Sequence, residues 1–337
     1  MVLTVVCDEP HVLSCVTRAM PTAGAGEALV RIRRVGLCGT DYHIYAGRQP
    51  FLSYPRVMGH ELAGEIEQVR EGSGFRRGQI VTVNPYLACG NCVACRRGKP
   101  NCCANVAVLG VHTDGGMSEW LVVPETALID ASGLTLDEAA MIEFLAVGAH
   151  AVARGALRRG DRVLVRGAGP IGIAVALFAR LDGAEVVLAD TRPARLRYAR
   201  EAFGFDRVIV ADEVADGRLR DLTGGDFFDS VFDATGSIEA MRDGLAYVAH
   251  GGTYVLVSVV KDDLVFADPE FHKRETTLLA SRNALSMDFE RVVTAMRAGD
   301  LPADRLKTHA LLAAEVPERL PQLVAEADEV LKAIVTF

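Results

Sequence analysis

The sequence predicts a two-domain α/β protein, in which an irregular β-barrel-like domain accompanies a doubly wound parallel sheet. Three observations predict it. The 337 residues suffice for two separate cores. Up to Glu143 the chain is rich in short strand-like runs punctuated by Gly and Pro. Beyond Glu143, strand patterns alternate with helix patterns, as in parallel sheets whose crossovers are helical.

The first part carries strand-like runs at 28–35 (ALVRIRRV), 62–69 (LAGEIEQV) and 79–84 (QIVTVN). The second begins with a short apolar strand at 162–166 (RVLVR), a helical stretch at 171–181 and a strand at 185–189 (EVVLA). A charged helix at 193–203 and a strand at 207–211 follow, then strands at 230–233, 253–257 and 276–280. The chain then leaves the sheet: 287–298 and 316–327 read as helices and 332–337 as a final strand that returns to the first domain. The expected division is 1–144 with 285–337 for the barrel-like domain, and 145–284 for the parallel sheet.

Half of the residues are hydrophobic, and the net charge of −8 argues against nucleic acid as a partner. No segment has the uninterrupted apolar length of a membrane span. The N-terminus lacks the basic region, apolar core and cleavage site of a secretory signal, so a cytoplasmic protein is expected.

Gly167-Ala168-Gly169-Pro170-Ile171-Gly172 spells G-x-G-x-x-G between a predicted strand and helix, with Asp190 at the end of the next strand. That context makes the motif a dinucleotide site of the Rossmann type. Gly167 permits the tight turn, Gly169 a close approach to the pyrophosphate, and Gly172 close packing of helix on sheet. The helix N-terminus then offers free N–H groups to phosphate. Asp190 would bind the ribose hydroxyls and repel a 2′-phosphate, so NAD is expected rather than NADP. Arg192 and Arg195 either line the adenosine end or are solvated helix charges.

Of the eight cysteines, Cys7 and Cys15 lie in apolar runs and read as buried fillers. Cys89, Cys92, Cys95 and Cys103, with Cys102 as an alternative to the last, crowd a Gly- and Pro-containing loop. In a reduced compartment this crowding means metal, and four thiolates suit a closed structural zinc site. An iron–sulfur cluster is the rival. Cys38, His60 and a carboxylate offer S, N and O with one position left open, the pattern of a catalytic zinc.

The chain resembles the zinc-containing medium-chain alcohol dehydrogenases, in the branch that holds sorbitol, threonine and sugar-acid (galactonate-type) dehydrogenases. The likeness rests on LCGTDYHIY (37–45), VMGHELAGEI (57–66), the cysteine lobe, GVHTDGGMSEW (110–120), IEFLAVGAHAV (142–152) and VRGAGPIG (165–172). It implies a GroES-like catalytic domain, a Rossmann domain, two zinc ions per chain, NAD, and a homotetramer or homodimer. By resemblance, Cys38 and His60 bind zinc, while Glu61 and Glu143 fill two carboxylate positions, one binding zinc and one holding its water, or exchanging. Asp41 is similar to the acid that orients the zinc-bound imidazole, Thr40 to the hydroxyl that holds the substrate oxygen, and His43 to the proton relay. Arg282 stands where relatives place a substrate-binding arginine. There are departures: Phe144 replaces a frequent proline, and Ile44 an aromatic residue of sorbitol dehydrogenases. The implied reaction is oxidation of a secondary alcohol to a ketone. Its rivals are a zinc-free quinone or enoyl reductase, which has no use for the metal ligands, and a regulatory protein that kept the fold.

Overall fold

The computed structural model describes residues 1–337, and its contacts divide them into two compact units, Met1–Phe144 with Leu285–Phe337, and Leu145–Ala284. No helix is long and apolar enough to cross a membrane.

The first unit is built on a seven-stranded sheet around Glu27–Leu37. That strand pairs antiparallel with Glu61–Gln68, Trp120–Pro124 and Ala333–Thr336. Val30 and Ile32, two residues apart, and Val35, beyond a register shift between Ile32 and Arg34, are buried in one core with Leu62, Ile66, Val81 and Val83. Two register facts position the site. Gly36 lies opposite Glu61, and Leu37 lies opposite Ala333, so Lys332 arrives beside Cys38. Gly36 is small for a reason: a Cβ there would stand 2.2 Å from Glu61 Oε2. A short helix, Gly39–Tyr45, follows directly. Sequence periodicity gives no hint of it, because two turns are too few to show a 3.6-residue repeat.

The second unit is a six-stranded all-parallel sheet in the order Val208–Val210, Glu185–Asp190, Arg162–Arg166, Phe228–Asp233, Val248–Leu256, Thr277–Ala280. The order reverses at Arg162–Arg166, where ligands bind in such folds. The helix Pro170–Leu181 starts there with Gly169 as its N-cap and proline in its first turn, where no N–H is missed. Gly167 has φ +96°, and a Cβ on Gly172 would come within 1.7 Å of the Gly167 carbonyl. Both glycines are therefore demanded by the backbone.

One expectation fails. Cys15 is exposed, whereas Cys7 is buried. Cys15 lies on Val12–Arg18, which pairs only with Val2–Glu9, so much of its surface stays in solvent.

Candidate active site

Cys38 caps the helix Gly39–Tyr45, and Asp41 in its first turn folds back. Asp41 Oδ2 accepts the Cys38 amide at 2.9 Å and Oδ1 accepts the Gly59 amide at 3.2 Å. One fully buried carboxylate thus ties the segment bearing Cys38 to the segment bearing His60. Both bonds run to backbone amides, and His60 Nδ1 is buried without a hydrogen-bond partner. The donor atoms of Cys38, His60 and Glu61 lie within 4.8 Å of one another. A mixed S, N, O set with an orphaned buried nitrogen fits zinc with a position left open.

Two carboxylates share this centre, and each has a different holder. Glu61 is fully buried and binds Lys332 Nζ through both oxygens at 2.7 Å. Lys332, only 1% exposed, also donates to the Leu37 carbonyl at 3.1 Å and sits 4.3 Å from the Phe144 ring centroid. Burial pushes the Glu61 carboxyl up, the Lys332 ammonium pulls it down and Glu143 pushes it up again, leaving it at about 7. Burial works against the Lys332 charge, but Glu61 and Cys38 outweigh it and hold the ammonium above its usual value. Glu143 is 3% exposed, in the first turn of the helix Ile142–Gly155. One of its oxygens, Oε1, accepts the Tyr86 hydroxyl. Burial and the Glu143 charge raise the Tyr86 hydroxyl well above the usual range, so it stays a donor.

The four-cysteine lobe is built differently. The sulfurs of Cys89, Cys92, Cys95 and Cys103 lie within 4.8 Å of one another, while Cys102 is exposed and outside the group. Gly90 and Gly98, at φ +76° and +70°, make the turns that aim them. Amides of Cys89 and Asn105 donate to Cys103 Sγ, each at 3.3 Å. The Cys95 and Ala104 amides pull the Cys92 thiol down to about 6. Burial and the neighbouring Cys92 push Cys95 up to about 11, a conflict that a cation among the sulfurs removes. A closed set of four thiolates fits a structural zinc.

In the parallel-sheet unit, a cavity of about 270 Å³ is lined by Gly167, Gly169, Asp190, Arg192, Arg195 and Arg166, among others. Asp190 closes the turn: Oδ2 accepts the Ala168 amide at 2.7 Å and Oδ1 the Arg192 amide at 2.8 Å. Arg195 reaches over the turn, with Nη1 3.5 Å from where a Cβ on Gly169 would be. Arg166, unnoticed in the sequence, is buried over the Tyr247 ring at 5.1 Å and lies 4.0 Å from the buried Asp233.

Known proteins place this architecture. Residues 24–133 match the model of the alcohol dehydrogenase GroES-like domain, and residues 170–298 that of zinc-binding dehydrogenases. The chain is 44% identical to L-galactonate-5-dehydrogenase of Escherichia coli K12, over 98% of both chains. The chain belongs to the zinc-type medium-chain alcohol dehydrogenase family. A sorbitol dehydrogenase of Halalkalibacterium halodurans is 31% identical over 86% of each chain. Among solved structures, one from Escherichia coli CFT073 described as a short chain alcohol dehydrogenase (rspB) complexed with NADH superposes with TM-score 0.93. It is 30% identical, covering 100% of this chain and 99% of that one.

Membership makes the protein an alcohol oxidoreductase with zinc-binding residues, and gives the remaining side chains a context. Thr40 Oγ1 lies 3.9 Å from Cys38 Sγ. His43 is exposed in the last turn of the same helix. Arg282 is exposed after Thr277–Ala280, within the parallel-sheet unit. Sequence reasoning missed Lys332, Tyr86 and Arg166. A lysine beginning an otherwise apolar terminal strand (EVLKAIV) was the signal for the first. Tyr86 and Arg166 carry no such mark.

Proposed function

We propose that this chain is an NAD-dependent zinc dehydrogenase that oxidises a secondary hydroxyl of a sugar acid or related polyol to a ketone. The observation that carries the reading is the Cys38, His60, Glu61 cluster with Glu143 beside it: a mixed donor set, charge-balanced and open, in a family of alcohol oxidoreductases. When bound, zinc supplies a Lewis acid that makes a hydroxyl more acidic, and NAD supplies the hydride acceptor. Thr40 Oγ1 would hold the substrate hydroxyl and accept its proton while donating its own onward, that proton would pass by way of the cofactor ribose, and the exposed His43 imidazole would release it to solvent. Asp41 fixes the ligand-bearing segments. Glu61 and Glu143 supply the negative charge that offsets the metal.

Gly167, Gly169, Pro170, Ile171 and Gly172 form the phosphate turn, Asp190 binds the adenosine ribose, and Arg195 faces the phosphates or adenosine. The Asp190 charge beside the cavity supports NAD over NADP. The substrate class is supported by the 44% identity to an L-galactonate-5-dehydrogenase. Arg282 is proposed to grip a substrate carboxylate through paired hydrogen bonds. A homodimer or homotetramer in the cytoplasm completes the reading. The test is a dehydrogenase screen with NAD and NADP across L-galactonate, other sugar acids, sorbitol, threonine and ethanol. Sugar acids with NAD are expected to give the highest kcat/KM. A primary alcohol at the top of that ranking would overturn the substrate class.

A further inference from the structure

We propose that Tyr86 is a positioning residue for Glu143, through which the strand that leads into the four-cysteine lobe sets the geometry of the catalytic metal centre. The inference rests on the reading of Cys38, His60, Glu61 and Glu143 as that centre.

Tyr86 lies on the short strand Tyr86–Leu87, which pairs with Ala107–Val108. These two strands clasp the loop carrying Cys89, Cys92, Cys95 and Cys103, so Tyr86 stands at its base. The strand is pinned locally: Asn84 Oδ1 accepts the Tyr86 amide at 3.1 Å, and the Pro85 carbonyl accepts the Leu109 amide at 3.1 Å. The tyrosine ring meets the fully buried Phe289 edge-on, with centroids 6.4 Å apart. Backbone and ring are thus fixed before the hydroxyl acts. That hydroxyl donates to Glu143 Oε1 and so restrains the carboxylate beside the Cys38, His60 and Glu61 cluster. Glu143 starts a helix, so its backbone is rigid, but its side chain has rotatable bonds that only a partner can freeze. Glu61 needs no such partner, because Lys332 binds both of its oxygens. A side chain that fixes a metal-binding carboxylate typically changes metal affinity or activity about 10–100-fold when removed.

The experiment uses cobalt-substituted protein. Tyr86→Phe keeps the ring against Phe289 and removes only the hydroxyl. It should shift the visible d–d bands of the catalytic cobalt and speed its loss to a chelator about tenfold, leaving the thiolate charge-transfer band of the lobe unchanged. In a Glu143→Gln background the same substitution should add nothing further. Unchanged bands and loss rate in Tyr86→Phe would overturn the proposal. So would an equal tenfold effect with Glu143 already replaced, because a merely structural role would persist there. Should Tyr86→Phe fail to fold, wild type labelled at the ring carbon bearing the hydroxyl gives the answer. The Tyr86 signal, identified among the seven tyrosines, should move when the catalytic site is loaded and should stay in place in Glu143→Gln. No movement in wild type overturns the proposal. A wild type that takes up one metal per chain, in the lobe alone, would sink the underlying reading. Two metals with an indifferent Tyr86 would sink only this inference.

Discussion

The two cysteine-bearing sites of the first unit spend their surroundings differently. In the lobe, three of the four cysteines are at least partly exposed, and backbone amides stabilise the Cys92 charge and donate to Cys103 Sγ. In the catalytic centre, buried side chains do this work: Lys332 answers Glu61, Tyr86 answers Glu143, and Asp41 ties the ligand segments. Amide donors come with the backbone and cannot be tuned. Side-chain partners are costly to bury, yet they let charge be balanced around a mixed set of donor atoms. The lobe is built to keep a metal, and the centre to use one.

The largest expected effect is a split between two cysteine substitutions. Cys38→Ala should abolish turnover, by more than the ~100-fold that losing a partner of a metal ligand brings, while the thermal midpoint changes little. Cys92→Ala should lower the midpoint and promote aggregation, because binding free energy at a structural zinc is folding free energy. Metal analysis should find one ion fewer per chain in each. Equal stability losses in the two variants would erase the contrast.

Next is the buried pair. Lys332→Met leaves the Glu61 carboxylate without its cation in a fully buried place and should destabilise the protein by about 3–5 kcal/mol in urea titrations. Adding Glu61→Gln should recover most of that loss, since the stranded charge is then gone. If the double variant is no more stable than the single one, Lys332 matters for packing against Phe144 and not for charge.

The amide-held thiol can be tested by pH. In metal-free protein, Cys92 is pulled down to about 6, so it should be mostly thiolate at neutral pH. The sign follows: its alkylation rate should be near its plateau at pH 7 and fall about tenfold per unit below pH 6. Cys7 is buried and pushed up to about 11, so it should stay unlabelled throughout. Peptide mapping that placed the midpoint for Cys92 near that of an ordinary thiol would mean that the amides do not stabilise the lobe.

The sequence speaks unevenly about these regions. The cysteine lobe is local in the chain, so spacing alone displays its ligands, and the G-x-G-x-x-G turn likewise lies within one strand–turn–helix. The choice between Cys102 and Cys103 needed the fold, because adjacent residues point in different directions. The catalytic centre draws on four separated places: Cys38, the pair His60 and Glu61, Glu143, and Lys332 from the far end of the chain. Motif resemblance supplied the first three. Lys332 became visible only through the pairing of Leu37 with Ala333, a register that no local pattern encodes. Asp41 was legible as a helper but not in its actual bonds, which run to two amides.

The smallest effects come from two glycines, one at each site. Gly36 faces Glu61 across the sheet, and an added Cβ would lie 2.2 Å from Oε2 and 2.9 Å from Glu61 Cβ. Neither can yield freely, because Lys332 holds the carboxylate from the other side. Gly36→Ala should therefore cost about 1–3 kcal/mol, as overpacking does, and should also lower kcat/KM by moving the carboxylate. Gly90 sits between Cys89 and Cys92 at φ +76°, with nothing within 4 Å of an added Cβ. There the methyl meets no neighbour, and only the left-handed backbone resists it, at about 1 kcal/mol. Gly90→Ala should thus shift the unfolding midpoint slightly, keep both metals and leave kcat/KM at the wild-type value. A loss of catalytic rate from Gly90→Ala would mean that the lobe transmits even small backbone strain to the centre. Silence in both activity and metal content would leave the crowded glycine as the sensitive one, which is the contrast between the two sites reduced to a single methyl group.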